Sequence, residues 1–407
     1  MIGAINTCKI NFNNMNIGVF FGSSSPEHDV SIITGEFIIS GLKKLGHSVT
    51  PIYLTKERKW LIGEELGSLK FFTDENNNLK EVEDKYEYLL DLSETKGKMV
   101  FVKKGLFGKK IEIDLAFPAF HGAYGEDGTI QGVFELIGVP YVGCNVISSS
   151  LTLDKALTKA VYESANIKTT KYISFLKSDF ENNKNEILNR LKNELKFPVF
   201  VKPVHLGSSI GITKVKNSEG NELEFAIEAG LYYDDKILVE ESVENLMDVT
   251  CCVIGNNELQ ASELQESVFG SELFDFEEKY LKDGGAQLGN AQDGIVIPAR
   301  LDEKTTNEIK ELSKKIYKLF GCSGIARVDY LYNKETKEVY ANEINTLPGT
   351  LYHHLWKASG LEFEELLKNL IGFASEKFEE KKKLNYAFDS VILKQLKSAK
   401  LGSKKLS

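Results

Sequence analysis

Two triplets late in the sequence, Arg327-Val328-Asp329 and Glu343-Ile344-Asn345, carry its strongest chemical signal. The apolar runs over 326–332 and 339–344 predict strands, and the turn-like NKETKE between them predicts a hairpin. Residues two apart on a strand point to one face, so Arg327 shares a face with Asp329, and Glu343 with Asn345. Two carboxylates and an amide oxygen on neighbouring strands suit a hard cation, which magnesium would complete with phosphate oxygens. Arg327 beside them would face negative charge developing in a reaction. The same pattern also suits an ordinary surface hairpin with scattered charges.

A second stretch runs Lys202-Pro203-Val204-His205-Leu206-Gly207-Ser208-Ser209-Ile210-Gly211. Glycines let a loop bring backbone N–H groups close to phosphates, and serines add donors. Lys202, at the end of an apolar strand, can reach a phosphate. The loop lies between two predicted strands and lacks the G-x-x-x-x-G-K-[ST] pattern, which occurs nowhere in the chain. A glycine-containing hairpin turn is the plainer reading. A third stretch, His121-Gly122-Ala123-Tyr124-Gly125-Glu126-Asp127-Gly128, leaves the carboxyl end of a predicted strand over 115–120, where open α/β sheets bind ligands. Asp127 equally suits a helix cap.

The elements that must position these groups are of α/β type. A buried strand over 16–21 feeds the loop SSSPEHD, a helix from about Asp29 closes at Gly46, and a second strand covers 47–54. Strand–helix–strand in this order predicts a parallel layer. Residues 57–110 are charged and weakly periodic and predict a surface excursion. Further helices are expected over 127–136, 152–165, 304–320 and 361–375, and strands over 141–142, 198–202, 210–215, 236–240 and 249–254. Five lysines between Lys394 and Lys405 predict a solvated tail or a segment for an acidic partner.

At 407 residues the chain exceeds one ordinary core, so two or three domains are expected. A net charge of −9 argues against a general nucleic-acid role. No apolar run is long enough for a membrane helix, and the asparagine-rich start does not resemble a secretory signal. Cys8, Cys144, Cys251, Cys252 and Cys322 are odd in number and scattered, which predicts reduced thiols in a cytosolic protein rather than a disulfide framework or zinc site.

The motifs GVFFGSSSPEHDVS, FPAFHGAYGEDGTIQGVFELIGVPYVGC, LDKALTK, FPVFVKPVHLGSSIGITKV, ILVEE, EEKYL, IPA, GCSGIARVDYLY and NEINTLPG follow one another in an order that resembles the D-alanine–D-alanine ligases of the ATP-grasp superfamily, over residues 16–376. The resemblance implies an ATP-grasp fold with an N-terminal parallel α/β, Rossmann-like domain. On it, residues 1–154 bind the first substrate and 155–239 form the central ATP-grasp subdomain. Residues 240–376 form the C-terminal subdomain with the metal and catalytic groups, and 377–407 are a lysine-rich tail. It implies ATP and Mg²⁺ (two ions, with Mn²⁺ as a substitute), D-alanine as substrate and a cytoplasmic homodimer that binds neither nucleic acid nor membrane.

Residue by residue, Lys155 and Lys202 match the lysines that approach ATP phosphates, and Glu240 matches the contact to the adenine amino group. Asp248 matches a ribose-binding glutamate if one residue is inserted in ENLMDV. The nucleotide set on this match is Lys155, Lys202, Gly207, Ser208, Ser209, Glu240, Glu241, Val243, Asp248 and Lys279. Asp329, Glu343 and Asn345 match the magnesium ligands. Glu27 matches the carboxylate that holds the first substrate's ammonium, with Ser208 and Tyr280 as its hydrogen-bonded partners and His121 beside that pocket. Arg327 and the Gly349 N–H match the oxyanion donors. Tyr280 favours a peptide over an ester product.

The chain departs from the family after NTLPG, where Thr350-Leu351-Tyr352-His353-His354-Leu355-Trp356 is shorter and lacks an evident serine. Thr350 or a histidine is expected to replace its hydrogen bond, or the acceptor differs: D-serine, D-lactate or another amine. One of His353 and His354 is expected to pack on Trp356 or line the acceptor pocket, and the two are not expected to share a metal. The expected lid is the glycine-serine loop with residues 274–281. A retired enzyme that only binds nucleotide is the reading from another class. It is disfavoured because Lys202, Arg327, Asp329, Glu343 and Asn345 are all present.

Overall fold

The computed structural model describes residues 15–392, apart from 75, 76, 78, 95, 96, 106, 107, 269–293 and 388. Three sheets organise these residues. The first begins with β1 (Asn16–Gly22), α1 (His28–Lys44) and β2 (Ser48–Leu54). Asp29 in the first turn of α1 and Lys43 and Lys44 in the last complement the helix dipole. The helix stops because Gly46, at φ +80°, lets the His47 N–H reach the Leu42 carbonyl and its own N–H reach that of Lys43.

Next come β3 (Trp60–Ile62), α2 (Leu69–Thr73), α3 (Leu79–Tyr86), β4 (Glu87–Leu90), β5 (Met99–Lys103), β6 (Lys110–Ile113) and β7 (Leu115–Pro118). The sheet order is β6-β5-β4-β3-β2-β1-β7. β1 pairs in parallel with β2 and β7, as the strand–helix–strand order predicts. Residues 57–110 are not a surface excursion. They contribute β3 to β6 as an antiparallel extension that buries Leu61, Met99 and Phe101.

The chain continues through α4 (Thr129–Ile137), α5 (Val146–Leu153) and α6 (Lys155–Ser164). The single helix expected over 152–165 is two, because Asp154 leaves helical geometry and accepts the Leu157 N–H as the cap of α6. The second sheet has the order β10-β9-β11-β8, from β8 (Tyr172–Leu176), β9 (Val199–Pro203), β10 (Thr213–Val215) and β11 (Lys236–Glu241). It is covered by α7 (Lys177–Glu194) and α8 (Glu222–Leu231) and has its own apolar core.

The third sheet has the order β14-β13-β12-β15-β16, from β12 (Leu246–Gly255), β13 (Leu259–Ser267), β14 (Ile295–Val296), β15 (Gly324–Asn333) and β16 (Val339–Asn345). The helices α9 (Glu303–Leu319), α10 (His353–Ala358) and α11 (Phe363–Lys382) complete the described fold. The last helix runs to Lys382, so the first residues of the expected tail over 377–407 are helical. Residues 393–407 lie outside the described part.

One apolar core joins the first and third sheets. Phe21 and Ile38 belong to it from the first, Cys252 and Ile325 from the third, and Leu355, Trp356, Leu366 and Leu370 from the closing helices. A Cβ on Gly41 of α1 would sit 2.5 Å from the Phe363 ring, so α1 and α11 pack backbone to side chain. Close packing of this kind resists relative displacement, so it fixes the loop after β1 against the loop after β16. Among the described residues the second sheet has a separate core.

Among the described residues no helix is long and apolar enough to cross a membrane. Cys144, Cys251, Cys252 and Cys322 are buried free thiols. Cys8 lies outside the described residues.

Candidate active site

Two adjoining cavities open where the three sheets meet. Glu27, His121, Glu126, Asn345 and Gly349 line the first. Phe200, Lys202, Ser209, Glu240, Glu241, Val243, Asp248 and Asp329 line the second. Lys155, Leu206, Gly207, Ser208, Arg327 and Glu343 line both and form the wall between them.

The second cavity follows from strand periodicity. Val199 and Val201 of β9 are buried in the core of the second sheet, so Phe200 and Lys202 face the other way, into the cavity. Cross-strand register places Leu238 opposite Lys202 and Glu240 opposite Phe200. Glu240 is fully buried and contacts the ammonium groups of Lys202 and Lys159. Burial alone would raise its carboxyl, but those two cations hold it well below the usual carboxylate range.

β15 and β16 contribute Arg327 and Glu343 to the wall between the cavities. Asp329 pairs with Glu343 and Arg327 with Asn345 in their register. The Arg327 Nε is 2.9 Å from both Asp329 oxygens, its Nη2 is 2.6 Å from one, and the guanidinium lies 3.8 Å from Glu343. Its Cζ stacks 5.0 Å from the centre of the Tyr352 ring. Thr250 of β12 donates to Asp329 at 2.8 Å. Burial, with the Glu343 charge adding to it, raises the Asp329 carboxyl despite Arg327. The buried Asp329 carboxylate, the partly exposed Glu343 carboxylate and the Asn345 amide oxygen therefore fit a divalent cation: the donors are all oxygen, and the repulsion between the two carboxylates would be relieved by positive charge.

The first cavity gathers groups from loops far apart in sequence. The Ser208 hydroxyl donates to Glu27, which precedes α1. His121 is buried, and its Nε2 is 2.9 Å from the Thr34 hydroxyl oxygen, which also accepts the Thr350 N–H at 3.3 Å. Burial and the Arg327 charge push the imidazole down to about 3, so it is neutral. Gly349 lies against it, since a Cβ there would be 3.8 Å from His121 Cε1.

Thr350 stands behind this lining, with its hydroxyl oxygen buried and without a hydrogen-bond partner among the described residues. Thr350, Leu351 and Tyr352 all have positive φ, a left-handed turn that swings Tyr352 onto Arg327. Neither histidine after it stacks on Trp356. His353 stacks on Phe37 at 4.5 Å, and His354 lies 5.1 Å from the Tyr352 ring and bonds Gln265 at 2.7 Å. Their rings are nearly perpendicular, 5.7 Å apart.

The structure thus brings together every site residue expected from sequence except Thr350, which is one residue behind, and Tyr280 and Lys279, which lie outside the described residues along with 274–281. Sequence reasoning missed Glu126 and Lys159. Glu126 lines the first cavity and accepts the Gly122 N–H at 2.7 Å, while burial and then Glu27 raise its carboxyl. Its place in HGAYGEDG was visible, but only Asp127 beside it had a local reason to be singled out.

Residues 16–144 match the family described as "D-ala D-ala ligase N-terminus" and 161–372 that described as "D-ala D-ala ligase C-terminus". The chain is 38% identical over 377 residues to a D-alanine–D-alanine ligase of Caldicellulosiruptor bescii, spanning 92% of this chain and 98% of that protein. Its fold is similar to the D-alanine–D-alanine ligase structure from Coxiella burnetii, with a TM-score of 0.75, 26% identity and coverage of 95% and 98%. It is also similar to the VanG D-Ala:D-Ser ligase from Enterococcus faecalis, with a TM-score of 0.73, 34% identity and coverage of 89% and 100%. On these matches, the chain belongs to the D-alanine–D-alanine ligase family of ATP-using enzymes.

Proposed function

We propose that this chain joins two D-alanine molecules into D-alanyl-D-alanine, at the expense of ATP, for peptidoglycan precursor synthesis in the cytoplasm. The observation that carries this reading is the wall shared by the two cavities. A carboxylate in the first and the terminal phosphate of a nucleotide in the second would meet at Lys155, Ser208 and Arg327. That is the geometry an acyl-phosphate mechanism needs. The substrate carboxylate oxygen attacks the γ-phosphorus and ADP leaves. The second substrate's amine then attacks the acyl carbon and phosphate leaves.

Each residue has a role that its surroundings support. Glu27, hydrogen-bonded by Ser208, holds the first substrate's ammonium, and neutral His121 flanks it. Ser208 orients that carboxylate and the incoming amine. Lys155 and Lys202 take phosphate oxygens, and Glu240 takes the adenine amino group. Arg327 and the Gly349 N–H stabilise the oxyanion of the tetrahedral intermediate. Asp329, Glu343 and Asn345 would hold Mg²⁺, which would supply positive charge to offset that of the nucleotide phosphates. We read the chain as three units over 1–154, 155–239 and 240–376, a division that the presence of three separate sheets supports, and as a homodimer by its family likeness.

ADP release with Mg-ATP tests the reading, with D-alanine alone and then D-alanine paired with D-serine or D-lactate, and products identified by mass. ADP and dialanine in equal amounts from D-alanine alone support it. Turnover only with D-serine would favour the second reading, which the likeness to a D-Ala:D-Ser ligase and the altered turn at 350–352 keep open.

A further inference from the structure

Lys159 is a fully buried cation that none of the roles above uses. It lies on α6 one turn beyond Lys155, is 2% exposed and lines neither cavity. Its ammonium has three acceptors, as many as it has protons: Thr169 Oγ1 at 2.8 Å, Thr170 Oγ1 at 2.8 Å and Glu240 Oε2 at 2.7 Å. Thr170 in turn donates to the same Glu240 oxygen at 2.6 Å. So Glu240 Oε2 is held by two donors that come from α6 and the segment before β8. The other oxygen, Oε1, contacts Lys202, which does line the cavity.

The two lysines therefore differ in what they can do. Lys202 can turn from Glu240 to a phosphate when nucleotide enters, because it stands at the cavity wall. Lys159 cannot leave, because all its protons are engaged and no solvent reaches it. Were Lys202 the sole counter-charge, its departure would leave a buried carboxylate uncompensated, and that group would take up a proton. A protonated carboxyl is a donor and would accept a 6-oxo purine as readily as a 6-amino one.

We infer that Lys159 is a positioning residue for nucleobase selection: it keeps Glu240 ionised and oriented, as an acceptor only, after Lys202 has moved to the phosphates. The cavity then favours a purine with a 6-amino donor over one with a 6-oxo acceptor. This rests on the reading of Glu240 as the adenine contact.

The test compares ATP with inosine triphosphate in the ligation assay, for wild type, Lys159→Met and Thr170→Val. Thr170→Val removes one donor to Oε2 but leaves the charge, so it serves if Lys159→Met fails to fold. The expected result is a fall of about tenfold or more in the ATP-to-ITP ratio of kcat/KM for Lys159→Met, concentrated in KM for ATP, and a smaller fall for Thr170→Val. Lower thermal stability with the wild-type ratio in both variants would make Lys159 purely structural and overturn the inference alone. A wild-type enzyme that uses both nucleotides equally would overturn the placement of adenine at Glu240, and the inference with it.

Discussion

The Ser208 hydroxyl donates a hydrogen bond to the Glu27 carboxylate across 181 residues of sequence. Two glycines enclose that carboxylate: a Cβ on Gly207 would lie 2.9 Å from Glu27 Oε2, and one on Gly122, whose φ is +72°, would lie 2.7 Å from it. Two loops thus close on a buried carboxylate carried by a third, and each brings a glycine where a Cβ would collide with it. Gly122→Ala is expected to displace Glu27 and lower kcat/KM for D-alanine by about 10²-fold, the scale set by misplacing a reacting group by roughly 1 Å. Affinity for ATP, measured by calorimetry, should change little. Equal loss of both would mean a general unfolding of the site.

Removing the guanidinium should separate chemistry from binding. Arg327→Ala is expected to reduce kcat by about 10²–10³-fold, the usual cost of losing an oxyanion donor. The Kd for ATP should move far less. Stopped-flow or steady-state ADP release with parallel calorimetry decides this, and a loss confined to ATP affinity would contradict the oxyanion role.

Asp329 and Glu343 face each other across β15 and β16, and burial together with their mutual repulsion raises the Asp329 carboxyl. Protons and Mg²⁺ should therefore compete for the Asp329 carboxylate. Chelation should abolish turnover, and added Mg²⁺ should raise Tm more at pH 8 than at pH 5.5 by mass action on the folded state. Asp329→Asn or Glu343→Gln should weaken that shift. An unchanged Mg²⁺ response in both variants would place the cation elsewhere.

At the root of the glycine-serine loop, His205 Nδ1 is 2.9 Å from Asp234 and its Nε2 is 3.4 Å from Asp154, which also binds Lys236 at 2.8 Å. Hydrogen bonds to Asp154 and Asp234 raise its pKa to about 9, from an ordinary value of 6.5. A raised histidine pKa stabilises the fold fully below the unfolded value and loses that contribution as pH rises through the folded one. Tm should therefore decline between pH 6.5 and about 9, and His205→Gln should flatten that segment of the profile. An identical slope in the variant would remove His205 as the cause.

How much of this was legible from the chain depends on how local each cause is. Strand alternation set Phe200 and Lys202 on one face, and Arg327 with Asp329 on another, because the two-residue period is a property of any extended backbone. The helix α1 announced both its ends, through Asp29 and Gly46. The order of motifs made the family plain and named about half of the residues that line the two cavities. The antiparallel extension β3 to β6 was not legible, since strands of three to five residues carry little periodicity of their own and gain their burial from partners supplied by the rest of the sheet. Lys159 and Glu126 read as ordinary helix and loop charges, because nothing near them in sequence shows that they are buried. Their desolvation, the turn that stacks Tyr352 on Arg327 and the meeting of Glu27 with Ser208 all come from the packing of one sheet against another. The sequence by itself determined which groups are present and which neighbours share a face. Only the tertiary structure decided which distant groups meet and which of them lose contact with water, because burial and long-range contact are sums over the whole chain.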